Sequence, residues 1–180
     1  LAAAKRGECD VAGIHLMDPA TGAYNTHLLT DALALVAGYG RMQGVVYRRG
    51  DARFEGRTAE DAVRAALADS DCTMVSRNAG SGTRVIIDQL LGARRPPGYG
   101  VQTRSHNAVA AAVAQGRADW GVAIDTVARA YGLAFLPLRE ERYDFVVPKT
   151  RLERPAVRAF RAVLDDAGTR AELKALGFLV

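Results

Sequence analysis

Three histidines, two cysteines and one tryptophan among 180 residues leave little for metal or nucleophile chemistry to draw on. His15, His27 and His106 fall in no HxH or HExxH spacing, and Cys9 and Cys72 form no CxxC pair, so no metal site and no cofactor is legible. Both cysteines lie in apolar, strand-like runs, which predicts buried free thiols. No apolar run approaches the roughly 18 residues that a membrane-spanning helix requires. A signal-peptide pattern is missing too, and the chain opens on Leu1 rather than methionine, which reads as a piece of a longer polypeptide. Basic residues outnumber acidic ones, 24 to 20, for a net charge of +4 that suits an anionic ligand. They are dispersed, with Arg48-Arg49, Arg94-Arg95, Arg151 and Arg154 forming no stripe, so direct nucleic-acid contact is not expected.

What remains is an ordinary globular composition, 49% hydrophobic and 24% charged, in a length that fits one domain or two small lobes. Short apolar runs alternate with helical patterns throughout, which predicts an α/β chain with largely parallel sheets. The expected strands cover residues 9–16, 45–48, 72–76, 118–124, 133–138 and 143–147. A helix capped by Asn25 or Thr26 is expected to reach residue 37, with Leu28, Ala32, Leu35 and Val36 on one face. Further helices are expected after Thr58, Thr83, Ser105, Asp125 and Pro155, and a last one opens on the capping box Thr169-Arg-Ala-Glu172. Asp18-Pro-Ala-Thr-Gly22 and Arg94-Arg-Pro-Pro-Gly98 read as turns.

The stretch with the most chemistry runs from Cys72 to Leu91. A strand-like run enters the turn Asn78-Ala-Gly-Ser-Gly82, and a helix follows. Backbone amides and hydroxyls therefore meet at a helix N-terminus, where unpaired donors and the helix dipole attract a small anion. Arg77 and Arg84 bracket the turn with full positive charge. It is not a Walker A loop, since no Gly-Lys-Ser/Thr follows, nor GxGxxG, since Val85 holds the third glycine's place. Nor is it GxSxG, with Ala79 and Thr83 in the flanking positions. A generic oxyanion cradle of Arg77, Ser81, Gly82 and Thr83 is left. A plain strand-to-helix turn with a hydroxyl cap explains the same residues.

Two smaller clusters accompany it. Arg104-Ser-His-Asn107 sets Ser105 and His106 at another helix start, where capping alone accounts for the serine. His15-Leu-Met-Asp18 with Tyr24-Asn25 gathers polar side chains beyond the C-terminal end of a strand, where ligands of open α/β sheets bind. No paired-carboxylate, metal or nucleophile-elbow pattern supports catalysis.

In this order the pieces resemble a type II periplasmic-binding-protein fold, specifically the PBP-like substrate-binding domains related to tungstate- and molybdate-binding proteins. The residues that carry the resemblance are Gly7 to Leu16 with Asp18 to Asn25, the turn Ser76-Arg-Asn-Ala-Gly-Ser-Gly-Thr-Arg84, Ser105-His106 through Gly116-Arg-Ala-Asp-Trp-Gly121, and Ala159-Phe160 through Leu176-Gly-Phe178. The resemblance implies two lobes, residues 1–44 plus 143–180 and residues 45–142, with crossings near residues 44–47 and 141–147 and a ligand cleft between them. It implies that an Arg six residues before a Thr, here Arg77 and Thr83 in R-x-x-x-S-G-T, contacts the oxyanion. It implies that the first strand, with its Ser/Thr-rich loop, lies upstream of Leu1. Family members are fused to MoeA-type molybdopterin-biosynthesis proteins or to helix-turn-helix modules, which together with the free thiols favours the cytoplasm, with a periplasmic or other extracytoplasmic setting as the alternative.

The resulting expectation is a non-catalytic, regulatory ligand-binding domain for molybdate, tungstate or a molybdopterin-type phosphate. Arg77, Ser81, Gly82 and Thr83 are the expected ligands, and Ser105, His106, His15, Tyr24 and Asn25 the expected cleft residues. One alternative is a transferase of the same fold acting on a phosphorylated substrate, with Asp18, Asp119 or His106 as acid or base. The other is a dimerisation domain, whose sign is an exposed apolar patch.

Overall fold

The computed structural model describes residues 1–18 and 20–180. Two compact units divide the chain: a first unit of Leu1–Arg41 with Glu141–Val180, and a second of Met42–Glu140. Thirteen elements are used below: α1 (Ala2–Lys5), β1 (Ala12–Ile14), β2 (Leu33–Tyr47), α2 (Ala59–Ala68), β3 (Met74–Arg77), α3 (Gly82–Leu91), β4 (Gln102–Thr103), α4 (His106–Ala114), β5 (Trp120–Ile124), α5 (Asp125–Ala130), β6 (Ala134–Pro148), α6 (Pro155–Asp165) and α7 (Ala167–Ala175). The strands follow the hydrogen-bonding order β1-β6-β2-β5-β3-β4.

In the second unit β3 lies between parallel neighbours, with Val75 opposite Gly121 of β5 and Ser76 opposite Gln102 of β4, while β2 and β5 run antiparallel. Strand alternation sends successive side chains to opposite faces. Val45, Tyr47, Met74, Trp120 and Val122 pack with Phe54 and helices α2 and α3 on one face. Val46, Val75 and Ala123 pack with α4 and α5 on the other. This explains why β3 and β5 are buried at every position and why β5 reads as an unbroken apolar run, while β3 ends on the buried polar residues Ser76 and Arg77. A Cβ on Gly121 would stand 2.6 Å from Val109 Cγ1 and 3.0 Å from the Val75 carbonyl oxygen, so only glycine lets α4 press this close.

In the first unit β1 pairs antiparallel with β6, Ala12 opposite Val146 and Ile14 opposite Asp144. A small core of Ala4, Ile14, Leu33 and Val146 forms there. Phe145 meets Phe160 of α6 edge-on, and Tyr39 tilts against Phe178. Cys72 is buried and Cys9 half-buried, both as free thiols. Among the described residues no helix is long and apolar enough to cross a membrane.

Several expected elements are corrected. The helix expected to start at Asn25 or Thr26 is a single 3-10 turn, Thr26–Leu28, after which residues 33–47 form one long strand. Residues 33–37 have no polar stripe, and such a run fits a strand as well as a helix. Asn25 precedes that turn with a φ of +67° and makes no side-chain cap bond, because its side-chain amide is engaged by the Leu16 amide and by Asp144. The two strands expected over 133–138 and 143–147 are one, β6. The strand expected over 9–16 shrinks to Ala12–Ile14. Asp125 is the first residue of α5 and not its cap. The last helix is capped by Asp166, whose carboxylate accepts the Thr169 amide at 2.8 Å, in place of the expected capping box at Thr169. Pro19 of the expected turn lies outside the described residues.

Candidate functional site

The parallel ladder sets Arg77, the last residue of β3, beside Thr103, the last of β4. Helix α3 starts five residues after the first and α4 three residues after the second, so two helix N-termini are presented at the same sheet edge. Parallel strands deliver helix starts at their C-terminal ends, where α/β ligands sit. Ser81 caps α3: its hydroxyl accepts the Arg84 amide at 3.2 Å and donates to the Asn78 carbonyl at 3.0 Å. Ser105 caps α4 by accepting the Ala108 amide at 3.1 Å. Each cap satisfies one first-turn amide. The Gly82 and Thr83 amides of α3 and the His106 and Asn107 amides of α4 are the donors that a helix start leaves over.

Arg77 spans these two starts. Only 7% exposed, it donates from Nη1 to Thr83 Oγ1 at 3.4 Å and from Nη2 to the Arg104 carbonyl at 3.4 Å. Nη1 also lies 3.3 and 3.4 Å from the His106 ring nitrogens Nδ1 and Nε2. These contacts are long beside the roughly 2.7–2.9 Å that a guanidinium makes to an anionic oxygen. Thr83 is buried, and its hydroxyl faces the guanidinium.

The structure thus brings together Arg77, Ser81, Gly82, Thr83, Ser105 and His106, all in the second unit. Ser81 does so as a cap, with its hydroxyl already committed. Arg84 departs from expectation. Its guanidinium pairs with Asp88 at 3.0 Å, bonds the Tyr99 hydroxyl, and donates to the Arg77 carbonyl at 3.2 Å. Its charge is neutralised there, and its role is to hold the end of β3. Burial pushes the Asp88 carboxyl up, and the Tyr99 and Arg84 contacts outweigh it and hold the group low. A cavity of about 450 Å³ between β3 and α4, lined by Val75, Val101, Ala108, Ala111 and Ala112 among others, offers mostly apolar walls, and none of the oxyanion candidates lines it.

His15, Tyr24 and Asn25 belong to the first unit and form a separate group. Asn25 is fully buried and structural: its Oδ1 accepts the Leu16 amide at 2.9 Å, and its Nδ2 donates to Asp144 at 2.9 Å. Tyr24 forms an antiparallel bridge with Met17. His15 stacks on Tyr143, ring centroids 5.3 Å apart, with Nδ1 3.6 Å from Glu141 Oε2. Glu141 and its partner Arg41 were not singled out in the sequence. Nothing local marks a pair separated by 100 residues.

The carboxylates that a transferase could use are already engaged. Asp119 accepts the Thr73 amide at 2.8 Å and faces Arg48 at 2.9 Å and Arg53 at 3.1 Å. Burial pushes its carboxyl up, and these donors hold it below its usual range. Asp18 is held low by the Ala20 amide and the Thr21 hydroxyl of its own turn. Among the described residues no group of three or more His, Cys, Asp and Glu side chains could hold a metal ion.

Comparison with known proteins agrees with this architecture. Bacillus subtilis protein YvgK is 31% identical over 182 residues, covering 95% of this chain and 56% of YvgK. The chain thus spans little more than half of that relative's length. The tungstate-binding protein TupA of Desulfovibrio alaskensis superposes with a TM-score of 0.64 at 16% identity, covering 96% of this chain and 76% of TupA. A phosphate transport receptor of Vibrio cholerae superposes with a TM-score of 0.63 at 11% identity, covering 99% of this chain and 83% of the receptor. At such identities the two likenesses show the fold alone, a mixed α/β ligand-binding fold of the type II periplasmic-binding-protein kind. Residues 1–165 match the PBP superfamily domain, and the chain belongs to that superfamily.

Proposed function

We propose that the second unit binds a small tetrahedral oxyanion, such as molybdate, tungstate or a molybdopterin-type phosphate, where α3 and α4 begin. The observation that carries this reading is the position of Arg77, a buried guanidinium set between Thr83 Oγ1 and the His106 ring at the start of two helices. An entering oxyanion replaces contacts of 3.3–3.4 Å with shorter charge-assisted ones and takes up the leftover first-turn amides. The names of two structural neighbours, a tungstate-binding protein and a phosphate receptor, support the same ligand class. The chain itself does no chemistry on the anion. It acts as a sensor, passing its bound state to a regulatory or molybdopterin-synthesis module of the longer protein by shifting a conformational population. Its free thiols favour a cytoplasmic setting.

Calorimetric titration of the intact protein with molybdate, tungstate, sulfate and phosphate, and with a neutral amino acid as a carboxylate control, tests this. Binding of at least one tetrahedral oxyanion that is lost in Arg77→Ala and weakened in the near-isosteric Thr83→Val is the expected result. Silence with every oxyanion, or oxyanion binding indifferent to both substitutions, would overturn the proposal.

A further inference from the structure

The cavity between β3 and α4 stands apart from the oxyanion group and has a different character. It measures about 450 Å³, and its whole lining belongs to the second unit. The sequence of α4 leaves it open. Val109, Ala110 and Val113 of that helix turn into the core, whereas Ala108, Ala111 and Ala112 share the adjoining face and offer the cavity only methyl groups. Met74, Val75 and Val101 line it as well. Strand β4 is the last of the sheet, so no further strand closes that side, and Val101 stays 60% exposed. An apolar cavity of about 150 Å³ already takes a benzene ring, and small-molecule sites span about 300–1,000 Å³.

Polar groups on the walls are engaged elsewhere. The Thr73 carbonyl accepts the Asp119 amide at 2.7 Å, the Thr73 amide donates to Asp119 at 2.8 Å, and the Thr103 hydroxyl donates to the Ser76 carbonyl at 3.1 Å. That leaves the interior to an apolar body. The rim is different. Gln115 and Arg117 are exposed there, and Arg117 is the only charged residue of the lining. Its backbone is fixed by the way α4 ends: the Gly116 amide donates to the Val113 carbonyl at 3.1 Å and the Arg117 amide to the Ala112 carbonyl at 2.9 Å. The carboxylate nearest in sequence, Asp119, is taken by Arg48 at 2.9 Å and Arg53 at 3.1 Å. The Arg117 guanidinium makes no hydrogen bond or ion pair with any described residue. The negative end of the α4 dipole, about half a charge, is outweighed by that full charge.

We propose that this cavity is a second ligand site, which takes a small amphipathic carboxylate. The aliphatic or aromatic body of that ligand lies between β3 and α4, and its carboxylate meets Arg117 and Gln115 at the rim. A neutral head group forgoes the ion pair and a cationic one meets like charge, so preference runs from carboxylate through alcohol to amine. The site shares no residue with Arg77, Thr83 and His106, and it stands or falls separately from the oxyanion reading.

Titration of the intact protein with octanoate, octanol and octylamine, followed through its amide chemical shifts, tests this. Octanoate is expected to bind saturably, with the largest shifts at Val75, Val101, Ala108 and Ala111. It should bind about fivefold more tightly than octanol, as an ion pair at an exposed rim allows, and octylamine should bind most weakly. Hexanoate, which buries a shorter chain, should bind about tenfold more weakly than octanoate. Arg117→Gln should bring octanoate down to the affinity of octanol. Ala111→Leu fills the hollow and should weaken every probe about tenfold or more while thermal stability is kept or raised. If that variant fails to fold, Ala108→Leu, one turn earlier on the same face, supplies the comparison. Arg77→Ala should leave octanoate binding unchanged. Shifts that never saturate, equal affinity for octanoate and octylamine, or octanoate binding indifferent to both Arg117→Gln and the cavity-filling leucine would overturn the proposal. So would loss of octanoate binding in Arg77→Ala, which would put the acid at the start of the two helices instead.

Discussion

Arg41 and Glu141 form an ion pair inside the first unit, with Glu141 only 1% exposed and the Arg41 guanidinium lying 4.9 Å from the Tyr143 ring centroid. Burial pushes the Glu141 carboxyl up, but the neighbouring His15 ring and the Arg41 charge outweigh it and hold the group below the usual carboxylate range. A carboxyl lowered in the folded state contributes stability that is present above its unfolded value, about 4.3, and is lost as pH falls through the folded value. Glu141→Gln strands the Arg41 charge, and should cost about 3–5 kcal/mol at neutral pH. Urea denaturation of both proteins between about pH 3 and pH 7 should show that gap narrowing on the acid side. A gap that stays constant across the range would mean that the carboxylate charge is not what the pair supplies.

The proposed oxyanion site should respond to geometry as well as charge. Arg77→Lys keeps the charge but loses the planar fork that reaches Thr83 from one nitrogen and Arg104 from the other. Oxyanion affinity should fall about 10- to 100-fold, equivalent to about 1.5–3 kcal/mol for a charge-assisted hydrogen bond. Thr83→Val removes only the hydroxyl and should cost about fivefold, near 1 kcal/mol. Calorimetry reads both, and an unchanged affinity in Arg77→Lys would show that a point charge is all the ligand requires.

Ser81 and Ser105 should behave as caps. Each accepts the amide of the third helical residue, so Ser81→Ala and Ser105→Ala should each lower stability by about 1 kcal/mol. Replacement by Asp, also a good cap, should restore stability in both. At Ser81, however, it should weaken oxyanion binding by setting a negative charge beside the anion. Stability and affinity measured on the same four variants separate the two roles. An Ala variant that loses affinity and keeps its stability would move that serine from cap to ligand.

Much of this site could be read from the chain, because helix starts carry local signals. Ser81 and Ser105 announce their caps within three residues, and Arg77 and Thr83, six residues apart, meet across the turn as the expected cradle requires. The distribution of charge was less legible. Arg84 looked like a second cation of the site, yet Asp88 lies one helical turn on and Tyr99 arrives from a loop, and together they take it away. Strand β2 was the largest misreading: Leu28, Ala32, Leu35 and Val36 satisfy a helical period as readily as a strand, and an apolar run carries no sign of its pairing. Pairs such as Arg41 with Glu141 or Asn25 with Asp144, 100 and 119 residues apart, arise only once the fold closes.

Support of the site from below can be tested at Gly98. Its loop hydrogen-bonds along β3, with the Met74 amide donating to the Pro97 carbonyl at 2.8 Å and the Ser76 amide to the Val101 carbonyl at 2.9 Å. Gly98 has a φ of +81°, and a Cβ there would stand 1.9 Å from the Met74 carbonyl oxygen, which belongs to the strand that delivers Arg77. Relief requires lifting the loop off β3, since the atom met first is backbone rather than a movable side-chain end. Gly98→Ala therefore combines left-handed strain of about 1–2 kcal/mol with overpacking of about 1–3 kcal/mol. Gly100, two residues on, has open space around its Cβ position and no positive φ. The same substitution there should be neutral or stabilising by up to about 1 kcal/mol, through the unfolded chain. Thermal unfolding of the two variants side by side isolates the contact from glycine flexibility in general. If both lose stability equally, loop entropy rather than the approach to Met74 governs this position, and the loop has no specific part in holding Arg77.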